Sequence, residues 1–235
     1  MSLPPPTAAA GLRVLFVDNH LLAVDKPAGL LTQPAEAGDD NLLDRARAWV
    51  KERYDKPGQV FIGLVHRLDR NVSGVVLLAR TSKAAARLSE MFRQRAIDKT
   101  YLAVVEGRAP AEGALEHLLL EREHGVVVDR AGKLSRLAFR RLAVSDAASL
   151  LQVELLTGRK HQIRAQLAAA GLPLVGDPRY GRRSLLIARP ALHADRLALE
   201  HPVQRVPLVL EAPLPDDLRA LMAQLGVAWR DEKAT

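Results

Sequence analysis

Read as a pattern of apolar and polar positions, the start of the chain predicts two short strands and then two helices. In "LRVLFVDNHLLAVDKPAGL" the β-rich runs Val14–Val17 and Leu21–Val24 flank the turn-forming pair Asp18 and Asn19, and Pro27 and Gly29 end the second run. The period then changes. In "DNLLDRARAWVKERY", Leu42, Leu43, Ala46, Trp49 and Val50 recur at the spacing of one helix face, with Asp40 or Asn41 placed as the cap. A second helix is predicted in "TSKAAARLSEMFRQR", capped by Thr81 or Ser82. Ala84, Leu88, Met91 and Phe92 form its apolar stripe, and its arginines form a solvated face.

Further along, "KTYLAVVEG" is apolar on both faces and stops at Gly107, as a central strand would. "SLLQVELL" alternates, with Leu151, Val153 and Leu155 on one side and Gln152 and Glu154 on the other. "KHQIRAQLAAAG" reads as a helix stopped by Gly171, and "PDDLRALMAQLG" as a last helix with an aspartate cap and a glycine stop. Strands outnumber helices without strict alternation. The expected fold is therefore α+β, with a mixed, largely antiparallel central sheet flanked by helices. Without a repeat or a Pro/Gly/Ser-rich linker, one domain is expected over residues 12–229, between tails at 1–11 and 230–235.

Composition changes the picture mainly through charge. Of 235 residues, 48% are hydrophobic and 26% charged, the balance of a globular protein with a sizeable core. The 34 Lys and Arg against 27 Asp and Glu leave +7, which favours a polyanionic partner, nucleic acid foremost. There is no cysteine, which removes disulfides, Cys-containing zinc sites and thiolate nucleophiles. A zinc deaminase and a thiol-dependent methyl transfer to a base go with them. The opening "MSLPPPTAAAG" lacks the features of a secretory signal and no later run is long enough to span a bilayer, so a cytoplasmic protein is expected.

Chemistry concentrates in two places. In "LVHRLDRNVSGVVLLAR" a single carboxylate, Asp69, stands between Arg67 and Arg70, before a glycine-punctuated apolar run. A guanidinium at ~4 Å contributes about 4 kcal/mol at an effective dielectric of ~20, enough to offset a partial desolvation cost and keep such a carboxylate charged. In an extended segment Arg67 lies on the side of Asp69 and Arg70 points away. The second place is "LLTGRKHQIRAQLAAAGLPLVGDPRYG", where Arg159, Lys160 and His161 sit at an expected helix start suited to phosphate, and Arg164 follows. Tyr101 is expected to face inward from its strand. No phosphate loop, dinucleotide fingerprint or HExxH pattern occurs, and His66, His161 and His193 read as hydrogen-bonded structural residues rather than metal ligands. Neither a metal nor a cofactor is expected.

On these residues the chain resembles the RluA-type pseudouridine synthases. The resemblance rests on four blocks in order, "LLAVDKPAGLLTQP", "GLVHRLDRNVSGVVLLAR", "KTYLAVVEG" and "LLTGRKHQIRAQLAAAGLPLVGDPRYG", with a weaker fifth, "LHADRLALEHP". It implies the catalytic fold of that family and isomerisation of uridine in ribosomal or transfer RNA. The base leaves the ribose through its nitrogen, turns and rejoins through carbon, with no cofactor. It further implies Asp69 as nucleophile, Tyr101 stacked on the base and involved in removing the ring-carbon proton, Arg164 paired with the aspartate, and Arg67 in the space a flipped nucleotide leaves. Attack on the sugar, elimination to a glycal and addition to the uracil ring all stay open for Asp69. Arg70, Arg159, Lys160 and His161 are expected RNA contacts. The chain departs from the family pattern at Val72, Lys160 and Gln166, which bears on RNA contacts. With only a short segment before Leu12, the small RNA-binding domain that many relatives carry is not expected, and substrate recognition is expected from the catalytic domain. A monomer is expected.

Two other readings use the same residues. A binding module or RNA-folding chaperone would need the basic positions but not Asp69. A nucleoside or glycoside hydrolase would need a paired acid and base and would release free uracil.

Overall fold

The computed structural model describes residues 11–229, so the expected tails, Gly11 apart, lie outside the described residues. In chain order the elements are β1 (Arg13–Val17), β2 (Leu21–Lys26), α1 (Leu42–Arg53), β3 (Gly63–Leu64), β4 (Ser73–Ala79), α2 (Ser82–Gln94), β5 (Asp98–Glu106), β6 (Glu112–Arg122), β7 (Gly125–Val128), β8 (Lys133–Val144), β9 (Ala148–Leu155), α3 (Gln162–Ala169), β10 (Leu192–Glu200), β11 (Pro207–Glu211) and α4 (Asp216–Gln224). The class is α+β, as expected. Two compact units share the chain, one within Met1–Asp98 and Ala194–Pro213, the other within Lys99–His193 and Leu214–Thr235. Among the described residues no helix is long and apolar enough to cross a membrane.

In the first unit the strands lie in the order β1-β2-β4-β10, with β11 antiparallel to β10 and β3 antiparallel to β4. All seven residues of β4 are buried, which is why its sequence is a continuous apolar run instead of an alternation. Leu21, Ala23, Val75 and Leu77 pack one face against Ala84 and Leu88 of α2 and against Leu197, Leu199 and Leu210. Gly74 is required here: its φ is +119°, and a Cβ would strike the Ala194 backbone. The caps resolve to Asn41, whose side chain accepts the Asp44 N–H, and Thr81, whose side chain accepts the Ala84 N–H.

In the second unit the order is β5-β9-β8-β6-β7, each neighbouring pair antiparallel. Leu102, Val104, Ala148 and Leu150 pack against Leu218, Leu221 and Met222 of α4. Helix α3 ends in a Schellman motif, Leu172 N–H to Leu167 O at 2.9 Å and Gly171 N–H to Ala168 O at 3.0 Å, with Gly171 at φ +77°. Two expectations need correction. Asp216 and Asp217 lie inside the first turn of α4, whose N-cap is Pro215 with no side-chain hydrogen bond, so they act on the helix dipole and not as caps. Helix α3 starts at Gln162, so Arg159 and Lys160 belong to the preceding turn and only His161 stands at the cap.

Candidate active site

Asp69 sits on the loop between β3 and β4, half-buried, with Arg67 and Arg70 exposed on either side. The loop has no regular structure of its own and is held through its backbone. Thr32 Oγ1 donates to Leu68 O at 2.9 Å and accepts from Leu68 N–H at 3.3 Å. Arg70 O accepts from Gly29 N–H at 2.8 Å and from Lys26 Nζ at 3.0 Å, and Arg70 Nε donates back to Gly29 O at 3.0 Å. A turn closes over the aspartate from Val72 N–H to Asp69 O at 3.1 Å. Asp69 is therefore fixed from both flanking residues.

Lys26 is the keystone of this arrangement. It is fully buried, and its ammonium donates to Pro27 O at 2.9 Å, Leu30 O at 2.7 Å and Arg70 O. An ammonium has three donors, and three carbonyls in a dry site offset its desolvation. Nothing in the local sequence marks Lys26 as buried; only its place at the end of an apolar strand hints at it. His66 plays the structural part expected of it. Its Nε2 accepts the Leu77 N–H at 2.8 Å, and its ring stacks on Phe92 with centroids 4.7 Å apart.

The other candidate residues belong to the second unit. Tyr101 lies on β5, paired with Val153 of β9 and buried as the apolar pattern implied. Arg164 is buried on α3 and forks onto Asp177, Nε to Oδ2 at 2.7 Å and Nη2 to Oδ1 at 2.9 Å. Burial pushes the Asp177 carboxyl up. The Arg164 guanidinium and the N–H groups of Arg179 and Tyr180 outweigh burial and hold it below the usual carboxylate range. The Tyr180 ring lies against the same guanidinium, 5.1 Å from ring centroid to Cζ. Arg164 is thus oriented from two directions, by a carboxylate fork and by an aromatic face.

Tyr180 also fixes the start of α3. Its hydroxyl accepts the Val126 N–H at 2.8 Å and lies 2.8 Å from His161 Nδ1. Desolvation, the largest influence on it, raises the phenol above its ordinary value, so it stays protonated. His161 itself is left-handed, at φ +51°. Lys160 is ion-paired with Glu121 of β6, whereas Arg159 is exposed and gives its backbone N–H to Gln162 Oε1 at 3.0 Å. Behind them runs a buried amide ladder. Thr157 Oγ1 donates to Gln162 Oε1 at 2.7 Å, Gln162 Nε2 to Gln166 Oε1 at 2.8 Å, and Gln166 Nε2 to Ser135 O at 3.1 Å.

The structure therefore gathers Arg159, Lys160, His161 and Arg164 around one helix start, and Arg67, Asp69 and Arg70 on one loop. Asp177 and Tyr180 were not anticipated. Their signal is the stretch "GDPRY": Asp177 Oδ1 accepts the N–H of Arg179 at 3.0 Å and of Tyr180 at 3.3 Å, a turn that Asp-Pro sequences favour.

The loop of the first unit offers a half-buried carboxylate held through its backbone, and the start of α3 in the second offers a buried, oriented guanidinium beside basic side chains suited to an anionic polymer. Among known proteins, the Nitrosomonas europaea ribosomal large subunit pseudouridine synthase D is 37% identical over 228 residues, covering 91% of this chain and 65% of that protein. The Zymomonas mobilis protein of the same name is 33% identical over 236 residues, covering 94% of this chain and 74% of its own length. The chain thus spans about two thirds to three quarters of these relatives. In fold it is similar to human RNA pseudouridylate synthase domain containing 4, with a TM-score of 0.80 at 23% identity over 93% of this chain and 95% of that one. Residues 20–169, a stretch that includes Asp69, Tyr101 and Arg164, match the family described as RNA pseudouridylate synthase, and the chain belongs to that family.

Proposed function

We propose that the protein isomerises uridine to pseudouridine in RNA, with Asp69 as the nucleophile and large-subunit ribosomal RNA as the substrate. The observation that carries this reading is the family match across the very loop that holds Asp69 rigidly between two exposed arginines. The names of the relatives support the ribosomal substrate. In this reading the glycosidic C–N bond breaks, the uracil turns, a C–C bond forms at the ring carbon, and the proton of that carbon is removed with the help of Tyr101. Arg164 is the cation that accompanies the aspartate, and Asp177 and Tyr180 position it. Arg67 fills the space of the flipped nucleotide, while Arg70, Arg159, Lys160 and His161 contact the RNA. A cytoplasmic monomer is part of the same reading.

The test is pseudouridine mapping of total RNA by chemical labelling and reverse-transcription stops, in cells with and without the gene. Loss of one or a few ribosomal sites, restored by the wild type and not by Asp69→Ala, is the expected result. Restoration by Asp69→Ala would overturn the mechanism and favour a binding module. Sites lost from transfer RNA would keep the chemistry and correct the substrate.

A further inference from the structure

Immediately after the Tyr180 that orients Arg164, the chain makes a short excursion, "GRRSLLIARP", which the chemistry above does not use. Its tip is unusual. Leu185 is 105% exposed and Leu186 45% exposed, although both are large and apolar. Arg182, with 84% of its side chain exposed and its Nη2 donating to Glu106 Oε2 at 3.0 Å in a solvent-facing ion pair that a phosphate can replace, and Arg183 immediately precede them. The tip is not slack. Leu186 N–H donates to Ser184 Oγ at 3.1 Å, and Gly181 N–H donates to Asp177 O at 3.0 Å. On the far side Ile187 enters the core, and Arg189 is buried and forked onto Asp217 at 2.6 and 2.8 Å, also donating to Leu192 O at 3.1 Å. A leucine pair is thus held out in solvent on a loop anchored at both ends, with two cations at its base.

We propose that this tip is an RNA wedge: Leu185 and Leu186 enter between unstacked bases beside the target, and Arg182 and Arg183 take the adjoining phosphates. The inference rests on the proposed RNA substrate. Its physical case is one of size and charge. A stable protein interface needs roughly 1,000 Å² or more, and membrane attachment needs a long amphipathic face or a lipid chain; two leucines supply neither. A gap between bases is about one side chain wide, and apolar side chains beside cations are how proteins hold a nucleic-acid step open. Reach agrees as well. Leu185 lies five chain steps beyond Tyr180, a span of at most roughly 18 Å, so the tip works within a few nucleotides of the base that Arg164 serves.

Two surface variants test it, Leu185→Ser/Leu186→Ser and Arg182→Ala/Arg183→Ala, neither of which touches a core contact. The probe is an RNA hairpin with an unpaired loop carrying 2-aminopurine. The wild type should raise the 2-aminopurine fluorescence on binding. The serine variant should bind about tenfold more weakly, with most of that rise lost and the salt slope unchanged, because it loses apolar contact and no phosphate. The alanine variant should lower the log–log salt slope by about 0.7–0.9 for each phosphate released. A serine variant that matches the wild type in affinity and fluorescence overturns the wedge. So does a wild type that self-associates, or binds anionic phosphatidylglycerol vesicles, only while the leucines are present. If the wild type forms pseudouridine and the serine variant does so with the same KM and kcat, the wedge alone falls. If the wild type neither forms pseudouridine nor binds the hairpin, the functional reading falls with it.

Discussion

Two aspartates show how the same residue type carries opposite consequences. Asp177 is buried but held by a guanidinium fork and two backbone N–H groups, and its carboxyl lies below the usual range. A lowered folded value means the pairing stabilises above the ordinary carboxyl titration near ~4 and that this contribution is lost as pH falls through the lowered value. Asp177→Asn removes the carboxylate fork from the buried Arg164 guanidinium. Urea unfolding at neutral pH should show a loss of about 3–5 kcal/mol, shrinking in acid, and turnover should fall more than tenfold, roughly, while RNA affinity changes little. Asp25 is the reverse. Burial drives its carboxyl up to about 6, against the weaker pull of Arg13 and Lys26. A raised folded value means stability that is full below ~4 and lost as pH rises through about 6, so the ionised group is a burden at neutral pH. Asp25→Asn should match the wild type in thermal stability near pH 4 and exceed it by about 1–3 kcal/mol above pH 6.5.

At the scale of elements, the hairpin of β6 and β7 is tied to the start of α3 by Lys160 to Glu121, and to the turn beyond α3 by Tyr180 to Val126 and Arg179 Nη1 to His124 O at 2.7 Å. Removing the Tyr180 hydroxyl while keeping its ring separates two effects. Tyr180→Phe should speed exchange of the Val126 amide about two- to tenfold, the equivalent of one hydrogen bond, and leave Arg164 against an aromatic face. Turnover should therefore survive Tyr180→Phe and drop with Tyr180→Leu; equal losses in both would show that the ring does not orient Arg164. The elements themselves were unevenly legible. Strands β1, β2, β5 and β9 and helices α1 and α2 follow from local apolar spacing and from Asn41 and Thr81. The β6–β7–β8 ladder and β10–β11 do not. Along β6 the exposed positions include Leu118 as well as Glu116, opposite Leu134 and Arg136 of β8, so that face carries no apolar alternation for the sequence to show.

For the molecule as a whole, the excess of +7 sets the expectation that RNA affinity falls with salt at a log–log slope of about −0.7 to −0.9 for each neutralised phosphate. Fluorescence anisotropy across a salt series measures it, and a flat line would count against an RNA substrate. Each unit is assembled from two separated stretches of chain, so that β11 joins β10 beside strands laid down more than a hundred residues earlier, while α4 completes the core begun by β5. No linker composition marks such crossings, because the chain passes between units inside β5 and β10 and in the short connection from β11 to α4.

The sequence by itself determined the family of this protein and where its candidate residues stand: Asp69 between arginines, Tyr101 on an inward strand, Arg164 after a basic turn, and the absence of any thiol. These are local facts, legible because residue type and spacing along a few turns decide them. The tertiary structure alone decided what holds those groups in place. Lys26 reaches Arg70 across 44 residues and Arg164 finds Asp177 across 13, and the exposed pair at Leu185 and Leu186 stands out only because Ile187 and Arg189 anchor the chain beyond it. Whether a lysine is buried, a carboxylate paired or a leucine bare is a property of neighbours brought together by folding, and spacing along the chain carries no record of them.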